Sequence, residues 1–517
     1  MTAASPSRQT TVSVLAIVAL ALLARLVVLP FATTDGGDAV TRTWAAMRWL
    51  ADPELITHGV WGPLHFYLVG AALAVVPDPI HTPVVLHIGF ALAASCLIYF
   101  FTREEFASSR AALVIAALYA LYPVAIRNSV SVRSETVFVV GLLAAMLLLA
   151  LARGERGRPA HAAGAGLALT LAAMLRYEAW LLLPFLALLL WRKPRLALLF
   201  GAVAMIHPLI WMVGNWVEFG DPLHSINWAS RWERELMGRA DRGVVALARQ
   251  AIAYPYHILL GMNLLVGLLA AAGALTALWT RDRASVWLVP LVGLCSLMLL
   301  SIMRGSLVPK LNYTLTAGTM LLPFAAIVLR RLGIDAWSPR RYRASSIALL
   351  GTIAAISCVA SWDGLKFAPL ARRVAVSSIP TIENQAIALS LPPFIAQGLH
   401  GPDEGLITDF YGWGATFYVA LLTGLHPDRI FRAPGAPHNG LDVEELAAFV
   451  DRHRAGVLVL LADSQFSEGL GRWRAGEVEI DGQTLALRPL HAVDWPTTGR
   501  DASGSRVEIF RYQVAKR

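Results

Sequence analysis

Long apolar runs recur along this chain at 11–31, 82–102, 111–126, 135–152, 161–175, 179–191, 196–214, 256–279, 284–303, 312–329 and 344–361. Helices of about 20 apolar residues are long enough to cross the hydrocarbon of a bilayer. Another run, 63–77, is short and opens on Pro63. The pattern therefore predicts a polytopic, all-α membrane domain.

The polar connections orient it. Arg153–Arg158, Arg192–Arg195, Arg281–Arg283 and Arg330–Arg343 are the most basic, and basic loops stay on the cytoplasmic side. Two apolar runs separate each successive pair of these loops, so all four fall on one side. Counting backward makes Arg103–Arg110 cytoplasmic and Arg127–Arg133 external. Parity holds with a cytoplasmic N-terminus only if 63–77 does not cross, so this run is expected to be a re-entrant or interfacial helix beside about eleven spans. The external segments are then 32–81, 127–134, 176–178, 215–255, 304–311 and everything after 362.

Beyond 362 the apolar runs shorten and charges rise. Leu406-Ile407-Thr408 and Val457–Leu461 read as buried strands, and 441–453 as an amphipathic helix. Two domains are expected: a transmembrane domain over 1–362, with external loops 32–81 and 215–255, and an extracytoplasmic α/β domain over 363–517.

Composition agrees with a membrane protein: 56% of the 517 residues are hydrophobic and 15% charged. The net charge of +9 does not indicate nucleic acid, because the excess sits in the short loops. Cys96, Cys295 and Cys358 all lie in apolar runs, which suits packing rather than disulfides or a metal cluster. The first run lacks a small-residue cleavage pattern and reads as an uncleaved signal anchor.

No Walker A loop, G-x-S-x-G elbow, H-E-x-x-H or C-x-x-C pair occurs, so ATP-driven transport, serine hydrolysis and zinc chemistry lack their usual marks. The candidate chemistry lies in the external loops. Asp35 and Asp38 follow the first span, where a carboxylate can take a proton from a hydroxyl; Asp-Gly-Gly-Asp is equally good turn chemistry. Arg133-Ser134-Glu135 opens a span, with Ser134 and Glu135 also suited to capping it. Arg176-Tyr177-Glu178 interrupts two apolar runs with almost no loop, as a functional group or an internal ion pair. Arg304 and Lys310 place positive charge outside, for an anionic lipid phosphate or by snorkelling. His65, His207 and His257 have no metal-ligand spacing. A divalent cation is compatible with the acids but not indicated, since three oxygen ligands are not assembled. Together Asp35, Asp38, Arg133, Glu135, Arg176, Glu178, Arg304 and Lys310 fall on one face.

At these residues the chain resembles the polytopic GT-C glycosyltransferases, in particular the protein-mannosyltransferase and aminoarabinose-transferase branch. The matching pieces are Asp38 after the first helix and Trp61-Gly62-Pro63-Leu64-His65-Phe66-Tyr67, similar to that branch's Pro-Pro-Leu-aromatic segment. Arg103–Ala111 followed by Tyr122-Pro123 and Ser134-Glu135, then Arg176-Tyr177-Glu178 and 215–222, complete the likeness over about 11–260. The chain departs from the pattern at Ala39, where the family has an acid after Asp, and at Gly62, in place of the first proline.

The resemblance implies inverting transfer of a sugar from a polyprenyl phosphate to a glycan, lipid or protein acceptor outside the cytoplasm. Asp38 would be the general base, assisted by Asp35 or Glu135. Arg176, Arg304, Lys310 and Arg133 would hold the donor phosphate, and Trp61, His65, Tyr67, Tyr177 and Glu178 would line the substrate groove. The rival reading, a transporter or lipid flippase, predicts polar residues through mid-membrane and pairing between chain halves. Neither is visible in the pattern.

Overall fold

The computed structural model describes residues 8–29, 37–54, 61–237, 244–304, 306–307, 311–361, 390–408, 423–432, 443–462, 465–495 and 505–515. The chain divides into two compact units, one of 1–32, 55–65 and 84–375, the other of 33–54, 66–83 and 376–517.

Helices dominate up to residue 361: α1 (Arg8–Val28), α2 (Gly37–Ala51), α3 (Leu64–Val75), α4 (His81–Phe106), α5 (Ser109–Ala120), α6 (Pro123–Val130), α7 (Ser134–Arg153), α8 (Pro159–Ala173) and α9 (Glu178–Leu188). There follow α10 (Pro194–Ala204), α11 (Ile206–Phe219), α12 (His224–Met237), α13 (Val244–Gly261), α14 (Leu264–Trp279), α15 (Leu288–Met303), α16 (Thr314–Leu321), α17 (Ala325–Arg331) and α18 (Pro339–Ser361). Among the described residues six helical stretches are long and apolar enough to cross a membrane, or up to eight if each of two bent pairs is one span. The 12 residues of α3 reach only about 18 Å, short of the roughly 30 Å of hydrocarbon.

Two of the expected straight spans are broken. Run 111–126 turns by 51° between α5 and α6. Pro123 at the first position of α6 has no N–H to give the preceding turn, and Tyr122 before it is extended at φ −66° and ψ 113°. Run 256–279 turns by 106° between α13 and α14. Asn263 makes that corner at φ 77° and ψ 126°, and its side chain accepts from the Leu265 N–H to cap α14.

The second unit is built on a mixed sheet of order β2-β1-β3-β6-β5-β4. Its strands are β1 (Gly405–Thr408), β2 (Ile430–Arg432), β3 (Ala455–Leu461), β4 (Glu477–Ile480), β5 (Gln483–Trp495) and β6 (Ser505–Val514). β1 runs parallel to β2 and β3, and β3, β6, β5 and β4 pair antiparallel. The strands expected at 406–408 and 457–461 are thus present, as is the amphipathic helix, α20 (Val443–Arg452), after the short α19 (Pro392–Gly398).

Strand side chains alternate faces, and here both faces are buried. Val457, Val459, Val507 and Ile509 join Leu391, at the N-cap of α19, and Ile395 within α19 in one core, which also takes in Trp44 of α2. Leu458, Leu460, Phe510 and Tyr512 join Leu446, Phe449 and Val450 of α20 in the other. Helix α2, which follows the first apolar run, therefore belongs to the same unit as the tail.

Candidate functional site

In the first unit the interrupted run at Arg176 becomes a buried ion cluster. Arg176 bonds Glu178 through Nε at 2.9 Å and through Nη2 at 2.7 Å, and its Nη1 lies 2.8 Å from Glu135 Oε1. The three side chains keep only 11%, 8% and 6% exposure for Arg176, Glu178 and Glu135. Asn312 Nδ2 donates to the same Glu135 oxygen at 2.7 Å, and the guanidinium stacks 5.2 Å from the Tyr313 ring centre. Arg127 of α6 is within electrostatic reach of Arg133 and Glu135, and Tyr254 of α13 within reach of Arg176 and Glu178.

Local sequence explains the convergence. α8 ends at Ala173 and α9 starts at Glu178, so Arg176 and Tyr177 occupy a tight corner that Trp180 closes by donating to the Ala173 carbonyl at 3.2 Å. Glu135 lies in the first turn of α7, where the helix dipole favours an acid. The capping role considered for Ser134 is not what the structure shows: Arg133 holds the N-cap position without a side-chain cap bond. The Ser134 hydroxyl is buried without a hydrogen-bond partner among the described residues.

The groove candidates separate. Trp61 is half-buried, and Gly62 lies so close to the chain at Met174 that a Cβ there would sit 2.3 Å from the Met174 carbonyl oxygen. The Leu64 N–H donates to that oxygen at 3.2 Å. A proline cannot be exchanged for this glycine without moving the corner that carries Arg176, which accounts for the departure at 62. His65 is fully buried with its Nε2 3.0 Å from Nε2 of His87, so one ring donates and the other accepts. Tyr67, in the second unit, packs on Trp49 at 4.9 Å. Tyr177 caps α9 and packs on Trp180 at 5.3 Å.

Segment 215–222 is a structural corner. Gly220 ends α11 at φ 68°, and Asp221 accepts from the Leu223 N–H and the Asn227 amide, both at 2.9 Å. The buried Asn215 accepts from Ser225, which in turn accepts from the Trp211 indole.

Asp38 lies in the first turn of α2, with its side chain outside the described part, and Asp35 and Lys310 fall outside the described residues. Arg304 is exposed at the end of α15. Among the described residues no group of three His, Cys, Asp or Glu is arranged to hold a metal ion. The sequence pattern alone does not single out Asn312, Tyr313 and Tyr254. Asn312-Tyr313 opens an apolar run just as Arg176-Tyr177 does, and that was the available signal.

Fold defines the architecture: a helical unit with six to eight candidate membrane spans among the described residues, joined to a C-terminal sheet domain, as in the solved structures below. Residues 57–214, which hold Glu135, Arg176 and Glu178, match the family described as dolichyl-phosphate-mannose-protein mannosyltransferase. The structure is similar to ArnT from Cupriavidus metallidurans bound to undecaprenyl phosphate, at TM-score 0.59 and 14% identity over 96% of this chain and 97% of that one. It is similar to the apo state of that ArnT at the same score and identity, over 97% and 98% of the two chains. No curated protein sequence matches the chain significantly.

Proposed function

We propose that this protein transfers a sugar from a polyprenyl-phosphate donor to an acceptor at the extracytoplasmic face of the membrane. The observation that carries the reading is the buried Glu135–Arg176–Glu178 cluster, set in an apolar helical bundle inside the segment that matches the mannosyltransferase family. Charges in such surroundings are costly and are kept where they act on a substrate or on each other. The likeness in fold to a protein crystallised with undecaprenyl phosphate supports the class of lipid carrier.

In this reading the leaving phosphate is neutralised by arginines, as a developing anion requires. Arg127 and Arg133 serve this purpose beside Arg176, which its two carboxylates hold in a fixed orientation. Arg304 and Lys310 are the further cations of the external face. The family resemblance gives the general-base role to Asp38: it takes the proton of the acceptor hydroxyl, whose oxygen attacks the anomeric carbon opposite the departing phosphate. One displacement of this kind inverts the anomeric centre. The basic connections between spans support a cytoplasmic N-terminus and an extracytoplasmic tail.

The test is turnover by purified protein given radiolabelled polyprenyl-phosphate sugars and membrane acceptors. Wild type should release or pass on the sugar, and Asp38→Asn should lose about 100-fold or more of that rate, the usual contribution of a general base. Absence of turnover with every donor, from folded protein, returns the flippase reading.

A further inference from the structure

We infer that Arg25, in the first membrane helix, is a positioning residue that sets the donor-binding geometry of α6 and the loop after it; the inference rests on the transferase reading above. Arg25 is fully buried, near the end of the stretch Thr10–Val28 that is long and apolar enough to cross the membrane. An arginine buried there ordinarily pairs with an acid. Among the described residues the hydrogen bonds of this one run to backbone and a hydroxyl.

Those bonds meet at the break between α5 and α6. Nη1 donates to the Ala120 carbonyl at 3.3 Å and to the Ala21 carbonyl of its own helix at 2.9 Å. Nε donates to Ser129 Oγ at 3.0 Å, and that hydroxyl donates onward to the Ile126 carbonyl at 2.7 Å. Ala120 is the last residue of α5, where the 51° turn at Pro123 leaves carbonyls without helical partners. Arg25 thus ties the end of one half-helix to the last turn of the next.

What the second half-helix carries gives the tie its meaning. Arg127 and Asn128 precede Ser129 directly, and the Arg133 N–H closes the following turn on the Asn128 carbonyl at 3.0 Å. Arg133 then caps α7, whose first turn holds Glu135 against Arg176. A single bend, braced by Arg25, therefore fixes the directions of Arg127, Arg133 and Glu135 at once. A lysine at position 25 keeps the charge but loses the planar fork that reaches Ala120 and Ser129 together.

The test compares wild type, Arg25→Gln, Arg25→Lys and Ser129→Ala in nanodiscs, by donor kinetics and by binding of undecaprenyl phosphate alone. A positioning role predicts that Arg25→Gln raises the donor KM and the Kd for undecaprenyl phosphate about 10-fold or more, with kcat held within about twofold; the loss of hydrogen bonds of this kind sets that scale. Arg25→Lys should restore part of the loss, and Ser129→Ala, the milder variant, should shift KM in the same direction. A merely structural role lowers the active fraction, so Vmax falls while KM and Kd stay put; that outcome overturns the inference, as does wild-type behaviour in both Arg25 variants. Should Arg25→Gln fail to fold, an unchanged KM in folded Ser129→Ala overturns it equally. Wild type that turns over no donor overturns the transferase reading and this inference with it.

Discussion

Arg176 directs two of its three nitrogens at Glu178 and the third at Glu135, so the cluster is one cation between two acids. Removing the cation strips the buried Glu178 and Glu135 carboxylates of the guanidinium they share, and breaking a buried ion pair from one side is damaging. Arg176→Met should destabilise the membrane unit by about 3–5 kcal/mol, read as a lowered unfolding temperature in detergent. Glu178→Gln should be milder, since its amide oxygen still accepts from the guanidinium and Glu135 still balances the charge. The Arg176–Glu178 pair was legible in the sequence because two charges interrupt an apolar stretch. Glu135 stood out in the same way at the start of its run, and Asn312-Tyr313 gave a weaker signal at the start of another, but Tyr254 lies inside an apolar run where hydropathy gives it no contrast with its neighbours.

At the scale of elements, most helices stand where the apolar pattern places them, and their bends do not. A span that turns by 51° or 106° has the same composition as a straight one, and only a local rule betrays it: Pro123 in one case, Asn263 in the other. Gly62 is a similar case, a departure from the family pattern explained by a close approach to a chain segment more than a hundred residues away. Gly62→Ala meets backbone rather than a flexible side chain, so it should cost about 1–3 kcal/mol as an overpacked site does. The same variant should loosen amide protection at Leu64, whose N–H bonds the Met174 carbonyl, in hydrogen exchange.

At the scale of the whole molecule, the α/β character of the tail followed from a few buried strands and one amphipathic helix. The membership of the second unit did not, because short-range periodicity carries no information on which distant segments share a core. That unit has its own acid sensitivity. Burial alone would raise the Glu404 carboxyl, but Arg511 at 2.6 Å and the His400 N–H at 2.6 Å hold it below its ordinary value of 4.5. A carboxylate depressed in the folded state stabilises fully above 4.5 and loses that contribution as pH falls through its lower folded value. Hydrogen-exchange protection of β1 and β6 should therefore decline with acid below about 4.5 in wild type and be flatter over the same window in Glu404→Gln.

Trp44, 5% exposed, completes a core whose other fully buried members begin at Leu391. During synthesis the indole must wait for about 350 further residues, roughly 20–70 s at ordinary translation rates, before the first of those members is made. For that interval the first loop is an unfinished surface with a large aromatic side chain, a natural client for a chaperone at the membrane. A chain stopped anywhere before the tail would lack most of the core that buries this indole, so a truncated product carries its unfinished surface at the first loop as well as at its cut end.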